Sequence, residues 1–426
     1  MLFMKTMNRG RFRLKRCRWN RSIPSFYKCF IPHTRSGLGG FTPAILLSLL
    51  VVSLASQANS EQISAHSPKA TAEAEGKLVV SRPAQAGSVE GQTVNSDEFI
   101  WTLFLNSAGK RVTSQGVKAQ FETWASDNIN TFVPSPKWPS PDDPSFKAAC
   151  KDLNQQGSPA SFRFPAGGCV IQDIKRNEDQ FDYIVSKGLN TVSGIAASFS
   201  SNGPVQMPKS SISIKTEWVN FDTLKKWIPG RAAASNTTIM RDYYTTQVNG
   251  NLFALVALHI ASKQNENWVW GTFEHRDNPG RCDYTGCFDS FGSLTPVQLP
   301  DTTTLNSSYT RGCVPSDKLR MLYNNSNVQD VWLNNYCLKS TQVDFVDSDS
   351  IPTVLGNTVV EGIAADNPIV SSSCITCHSY AAFGANGKPT NATNAMTIFS
   401  PIGNTDPNIL NGTKPFDFMW GFKNAR

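Results

Sequence analysis

Between about residues 205 and 300 the chain alternates apolar and polar positions with the period of a β-strand. Ser211-Ile-Ser-Ile-Lys-Thr-Glu-Trp-Val219 places every second side chain on one face, as a half-buried strand requires. Leu252-Phe-Ala-Leu-Val-Ala-Leu-His-Ile-Ala-Ser262 is apolar on both faces and reads as a central strand. Trp268-Val-Trp-Gly-Thr-Phe-Glu-His275 alternates again, and the polar break at 263–267 suits a hairpin. The pattern predicts an antiparallel sheet or sandwich-like domain. Upstream, it predicts an ordered element over Asp97–Leu105 and a helix over Val117–Phe132 carrying Phe121 and Trp124. The prolines of 134–144 remove donors and fix φ, so that stretch is an irregular loop. From 300 onward the chain is rich in Asn, Asp, Ser, Thr and Gly, with short helices at most. The class is therefore α+β, and no internal repeat is visible.

The charge is unevenly spread. The 426 residues sum to +7, but residues 1–36 hold ten Lys or Arg and no acid. The other 390 residues carry 30 Lys or Arg against 33 Asp or Glu, a balance of −3. The basic excess thus belongs to a targeting segment and gives no reason to expect a nucleic-acid partner. An apolar run from Pro43 to Ala55 follows, then the small residues of Ser56-Gln-Ala58. That order describes a secretory signal peptide over 1–58, cleaved after Ala58, with an uncleaved membrane anchor as the competing reading. The run is shorter than the ~20 residues a spanning helix needs, so no stable membrane span is expected after cleavage. Residues 59–95, poor in large apolar groups, read as a flexible linker. A sheet-containing domain over 96–350 and a small haem segment over 351–426 complete the expected organisation.

Export implies an oxidising compartment, and eight cysteines lie beyond the leader: Cys150, Cys169, Cys282, Cys287, Cys313, Cys337, Cys374 and Cys377. Sequence proximity suggests the disulfides Cys150–Cys169, Cys282–Cys287 and Cys313–Cys337, one of 15 connectivities open to six cysteines.

The remaining two cysteines stand in Ser373-Cys374-Ile-Thr-Cys377-His378. Each thiol of a C-x-x-C-H segment can add to one haem vinyl, and the adjacent imidazole then supplies the proximal iron nitrogen. On these residues the chain resembles the cytochrome c superfamily. The resemblance implies one covalent haem c on Cys374 and Cys377, His378 as iron ligand, a periplasmic or otherwise exported location, and electron transfer to or from another redox protein. The block Asn278-Pro-Gly-Arg-Cys-Asp-Tyr-Thr-Gly-Cys287 is similar to one in uncharacterised exported bacterial proteins that end in such a motif. A C-x-x-C redox disulfide lacks its thioredoxin-like βαβ setting, and a zinc site lacks a second C-x-x-C or H-x3-H.

Only 48 residues follow His378, so the haem pocket must borrow walls from the sheet domain, and Leu355–Ile363 could be a helix beside it. For the sixth iron ligand the candidates are Met396, ranked first, then Met419, His259, His275 or none. An empty position would make a haem oxidoreductase, with His275 or an arginine as distal acid/base; a third possibility is a small-ligand-binding sheet domain carrying a redox haem. His259 and His275 sit on two predicted hairpin strands and could face each other, although a core role is the commoner one for His259. Arg276 and Arg281 could pair with haem propionates or with nearby aspartates. Trp268 and Trp270 share a strand face and could form a stacking platform.

Overall fold

In the computed structural model the described residues are 78–80, 92–114, 116–147, 149–150, 164–165, 167–201, 203–282, 286–298, 314–361, 372–390 and 402–426. The expected signal segment, residues 1–58, lies outside them. Within the expected linker, Leu78–Val80 pairs antiparallel with Gln92–Val94.

The alternating segments form one antiparallel sheet of seven strands: β1 (Ala125–Ser126), β2 (Val170–Arg176), β3 (Ile212–Asn220), β4 (Thr245–Val248), β5 (Asn251–Ser262), β6 (Val269–His275) and β7 (Tyr336–Gln342). Their order is β7-β6-β5-β3-β2-β1, with β4 pairing the first part of β5. The class is α+β, as the pattern predicts. β5 is central, which is why it is apolar on both faces.

Register decides which side chains share a face. His259 lies opposite Lys215 on one side and Thr272 on the other, and the next same-face rows are Ser213, Ala261 and Trp270, then Glu217, Ala257 and Glu274. Directly paired residues point the same way. One face of the sheet is therefore polar across its middle. The other face carries Ile214, Leu258, Ile260 and Phe273 and packs under the helix Ser96–Ala108. That helix starts at Asn95, whose side chain accepts from the amides of Asp97 and Glu98. Phe104 stacks on Phe273 at 4.2 Å, and Ile100 sits so close over Gly271 that a Cβ there would lie 2.4 Å from it.

The helix predicted over Val117–Phe132 is not formed. Gly116, at φ 119°, turns Gly116–Ala119 back against Lys110–Thr113; a 3-10 turn, β1 and a single π turn follow. Phe121 and Trp124 still reach the core, but from a meandering backbone. Downstream of 300 the prediction of short helices holds for Asp317–Asn324 and Asp330–Asn335, yet β7 went unrecognised. Its sequence, Tyr-Cys-Leu-Lys-Ser-Thr-Gln, is too polar to read as a strand, because Lys339 and Gln342 are buried with polar partners.

Cys150–Cys169 and Cys282–Cys287 are disulfides, as proximity suggested. Cys337 is disulfide-bonded too; its expected partner Cys313 lies outside the described residues. Among the described residues no helix is long and apolar enough to cross a membrane.

Candidate functional site

The C-terminal segment docks on the polar face. Glu274 accepts from the Thr358 amide at 2.9 Å and from its hydroxyl, and the Asn357 amide group donates to Thr272 Oγ1 at 2.9 Å. Two sheet residues thereby set the turn that starts at Asn357; of the helix expected over 355–363, residues 360 and 361 are helical, and 362 and 363 lie outside the described residues. That turn delivers Glu361 to His259, with Oε1 3.3 Å from Nε2. The Asn357 amide also donates to Glu361. Burial works against the Glu361 carboxylate, but His259, Lys215 and the Asn357 amide outweigh it and hold its pKa below the usual value.

The motif forms a short helix, Cys374–Ser379. Ser373 caps it by accepting from the Thr376 amide, and β7 fixes it in place: Gln342 donates to Ser373 Oγ at 2.8 Å and accepts from the Ile375 amide at 3.0 Å. The Trp420 indole donates to the Cys377 carbonyl at 2.9 Å, satisfying an end group of the helix.

Neither Cys374 nor Cys377 is in a disulfide. Cys374 Sγ lies 3.9 Å from His259 Nδ1 and 3.7 Å from the Leu355 carbonyl. Burial, with the Glu361 carboxylate adding, pushes the Cys374 thiol well up and the Cys377 thiol up to about 11. Both thiols are therefore protonated at neutral pH, opposite to the thiolates of a redox-active C-x-x-C. His378 Nδ1 is 2.7 Å from the Phe418 carbonyl, and its ring lies 4.5 Å from that of Trp270. Burial lowers the His378 pKa to about 4, so the ring is neutral. A carbonyl only accepts; Nδ1 must carry the proton and Nε2 the lone pair.

That carbonyl is delivered by an unusual turn. Asp417 and Phe418 both have positive φ, 49° and 65°, a conformation that disfavours a bulky side chain. The Asp417 carboxylate holds it, accepting from Lys263 Nζ at 2.6 Å, the Met207 amide at 2.6 Å and the Trp268 indole at 3.1 Å.

Glu361 and Lys215 act electrostatically on Cys374, Cys377 and His378 alike. His259 Nδ1 or Nε2, a Glu361 oxygen and Cys374 Sγ lie within 4.8 Å of one another, a donor set that could also hold a transition-metal ion.

Other candidates are placed elsewhere. Met396 lies outside the described residues. Met419 is buried, and its sulfur accepts from Arg176 Nη1 at 3.3 Å. His275 does not face His259: the register puts it on the opposite face, stacked at 3.6 Å on Tyr243, with Nε2 3.0 Å from the Asp242 carbonyl. Burial lowers its pKa to about 4, a core histidine in every respect. Arg276 is 3.8 Å from Asp277, and Arg281 is buried against Cys287, so neither is oriented by the motif. Trp268 and Trp270 are buried, with indole nitrogens on Asp417 and the Asn267 carbonyl, and offer no open platform. Glu361 and Lys215 were missed in the sequence. Only the face-sharing of Lys215 with His259 had a signal there, through strand alternation. No protein-family model, curated protein or solved structure matches the chain.

Proposed function

We propose that this chain is an exported, mono-haem c-type protein that works in electron transfer, with haem attached through Cys374 and Cys377 and His378 as proximal ligand. The observation that carries the reading is the state of His378. Phe418 holds Nδ1, which leaves a neutral imidazole with Nε2 as ligand, the arrangement a metal-binding histidine needs. Two protonated thiols outside any disulfide, on the same short helix, fit thioether formation. The bound haem would supply a one-electron ferric–ferrous couple. The chain's own part is to anchor the macrocycle edge through Gln342 and the motif helix, to orient His378, and to set local polarity through Lys215, His259 and Glu361.

The test is co-expression of the full chain with a c-type maturation system, followed by acid–acetone extraction. Colour retained in the protein, and lost from Cys377→Ala, supports the assignment; colour that extracts completely from the wild type refutes it. A second reading follows from the mixed His259, Glu361 and Cys374 donor set: a transition-metal site in a chain without haem. Stoichiometric zinc in colourless protein, removed by His259→Ala, would favour that reading.

A further inference from the structure

We infer that, before haem attaches, the chain holds a zinc-type divalent ion on Cys374, His259 and Glu361, and that this ion and the haem exclude each other at Cys374; this rests on the haem reading above and makes the ion a gate on attachment.

The donors come from three separate elements. β5 supplies His259, the turn at Asn357 supplies Glu361, and the motif helix supplies Cys374. One ligand atom from each lies within 4.8 Å of the other two, and among the described residues no other such group of three forms. A tetrahedral zinc ion, with donors at about 2.0–2.3 Å, sets those donors about 3.3–3.8 Å apart. Glu361 Oε1 is 3.3 Å from His259 Nε2, and Cys374 Sγ is 3.9 Å from Nδ1. Rotation of the imidazole and loss of the thiol proton close the site.

The state of His259 points to a ligand. The residue is 9% exposed, and its Nε2 is buried without a hydrogen-bond partner, Glu361 being an ion-pair contact only. Nδ1 gains no proton from Cys374, whose single S–H donates to the Leu355 carbonyl at 3.7 Å. A buried imidazole with neither nitrogen satisfied is a state that folded proteins avoid. A cation between imidazole, carboxylate and sulfur satisfies all three groups. One thiolate and one carboxylate balance its two charges, and sulfur with imidazole favours zinc over magnesium or calcium.

Attachment of haem needs the same sulfur. There the Cys374 S–H adds across a vinyl double bond: the sulfur bonds to one vinyl carbon, the hydrogen goes to the other, and no electron is gained or lost. The resulting thioether has no proton to release and cannot serve as a thiolate. Conversely, a bound ion expels the thiol proton and occupies the sulfur lone pair that attachment uses. Cys377 is not among the three donors. The ion therefore separates the two motif cysteines, which a zinc site built on the C-x-x-C pair would not.

The experiment titrates haem-free full chain with cobalt(II), a stand-in for zinc whose bond to thiolate absorbs in the near ultraviolet. One cobalt per chain with a thiolate band is expected, displaced by one equivalent of zinc. Cys374→Ser should abolish the band and Cys377→Ser should keep it. His259→Ala and Glu361→Gln should each weaken binding about 10-fold or more. Haem-loaded chain should show no thiolate–cobalt band. Added zinc during co-expression with the maturation system should lower covalent haem in wild type and spare Glu361→Gln, which controls for zinc acting on that system. Cobalt bound without a thiolate band, or a band that follows Cys377, overturns the inference and leaves covalent haem standing. Haem-loaded chain that keeps the full band also overturns it. Cobalt bound as expected by a chain that never attaches haem refutes the haem reading and the exclusion with it, and leaves the ion site alone.

Discussion

Asp417→Ala tests how the strained C-terminal turn is held. The carboxylate is buried and accepts three hydrogen bonds, from Lys263, Trp268 and the Met207 amide. Removing it leaves a buried ammonium without its counter-charge, a change that costs about 3–5 kcal/mol. Two further donors lose their acceptor, at about 1–3 kcal/mol each when they stay dry. These terms overlap, because Lys263 keeps the Glu266 carbonyl and the turn at Asp417 and Phe418 can relax out of its left-handed conformation. A net loss of about 4 kcal/mol is the reasonable centre. For a folded body of this size that is a drop of about 6 °C in Tm. The assay is thermal and urea unfolding of the full chain, followed by tryptophan fluorescence and near-ultraviolet circular dichroism. Lys263→Met combined with Asp417→Leu should recover a large part of the loss, since an apolar pair leaves no charge stranded. The reasoning fails if Asp417→Ala costs less than about 1 kcal/mol, or if the double variant is no more stable than the single one. In haem-loaded protein Asp417→Ala should also raise the midpoint potential, because His378 loses the acceptor that makes it a more basic ligand.

Further predictions follow from packing, protons and cross-links. His275 is wholly buried with its pKa lowered to about 4, whereas an unfolded histidine titrates near 6.5. The unfolded chain therefore binds the extra proton between those values, and stability is full above about 6.5 and falls as pH drops towards 4, by about 3 kcal/mol in all. Urea midpoints at several pH values should show this slope flattened in His275→Phe; equal slopes would contradict the assignment. Gly271→Ala forces a methyl group into Ile100, whose nearest carbon lies 2.4 Å from the new Cβ. A loss of about 1–3 kcal/mol is expected, read by thermal melts, and a neutral result would mean that the first helix shifts freely on the sheet. Opening the Cys150–Cys169 link, which spans 19 residues, by Cys150→Ala with Cys169→Ala should cost about 3 kcal/mol in chemical unfolding.

The strands at Ser211–Val219, Leu252–Ser262 and Trp268–His275 were legible in the sequence because a half-buried or central strand writes its burial directly into local alternation. The C-x-x-C-H motif was legible for a similar reason: its chemistry is complete within five consecutive residues, Cys374 to His378. Local sequence proximity also sufficed for Cys150–Cys169 and Cys282–Cys287. Where burial is satisfied by partners far away in the chain, the local pattern misleads. β7 hides Lys339 and Gln342 on Glu274 and Ser373, so its sequence looks like a polar loop. The run after Val117 has helical spacing of Phe121 and Trp124, but hairpin pairing with Lys110–Thr113 takes its first residues away.

The surroundings of the motif belong to the tertiary structure alone. That His259 and His275 point to opposite faces follows from pairing register, which sequence alternation cannot fix without knowing the partner strand. Glu361 reaches His259 only because Thr272 and Glu274, more than 80 positions earlier, bind Asn357 and Thr358. The acceptor for His378 is a backbone carbonyl, and every residue carries one; only the fold selects that of Phe418. The sequence determined which atoms could bond to a haem, because that chemistry depends on residue type at short spacing. The fold decided which histidine stands beside them, because that choice is made by hydrogen bonds between segments that have no local trace of each other.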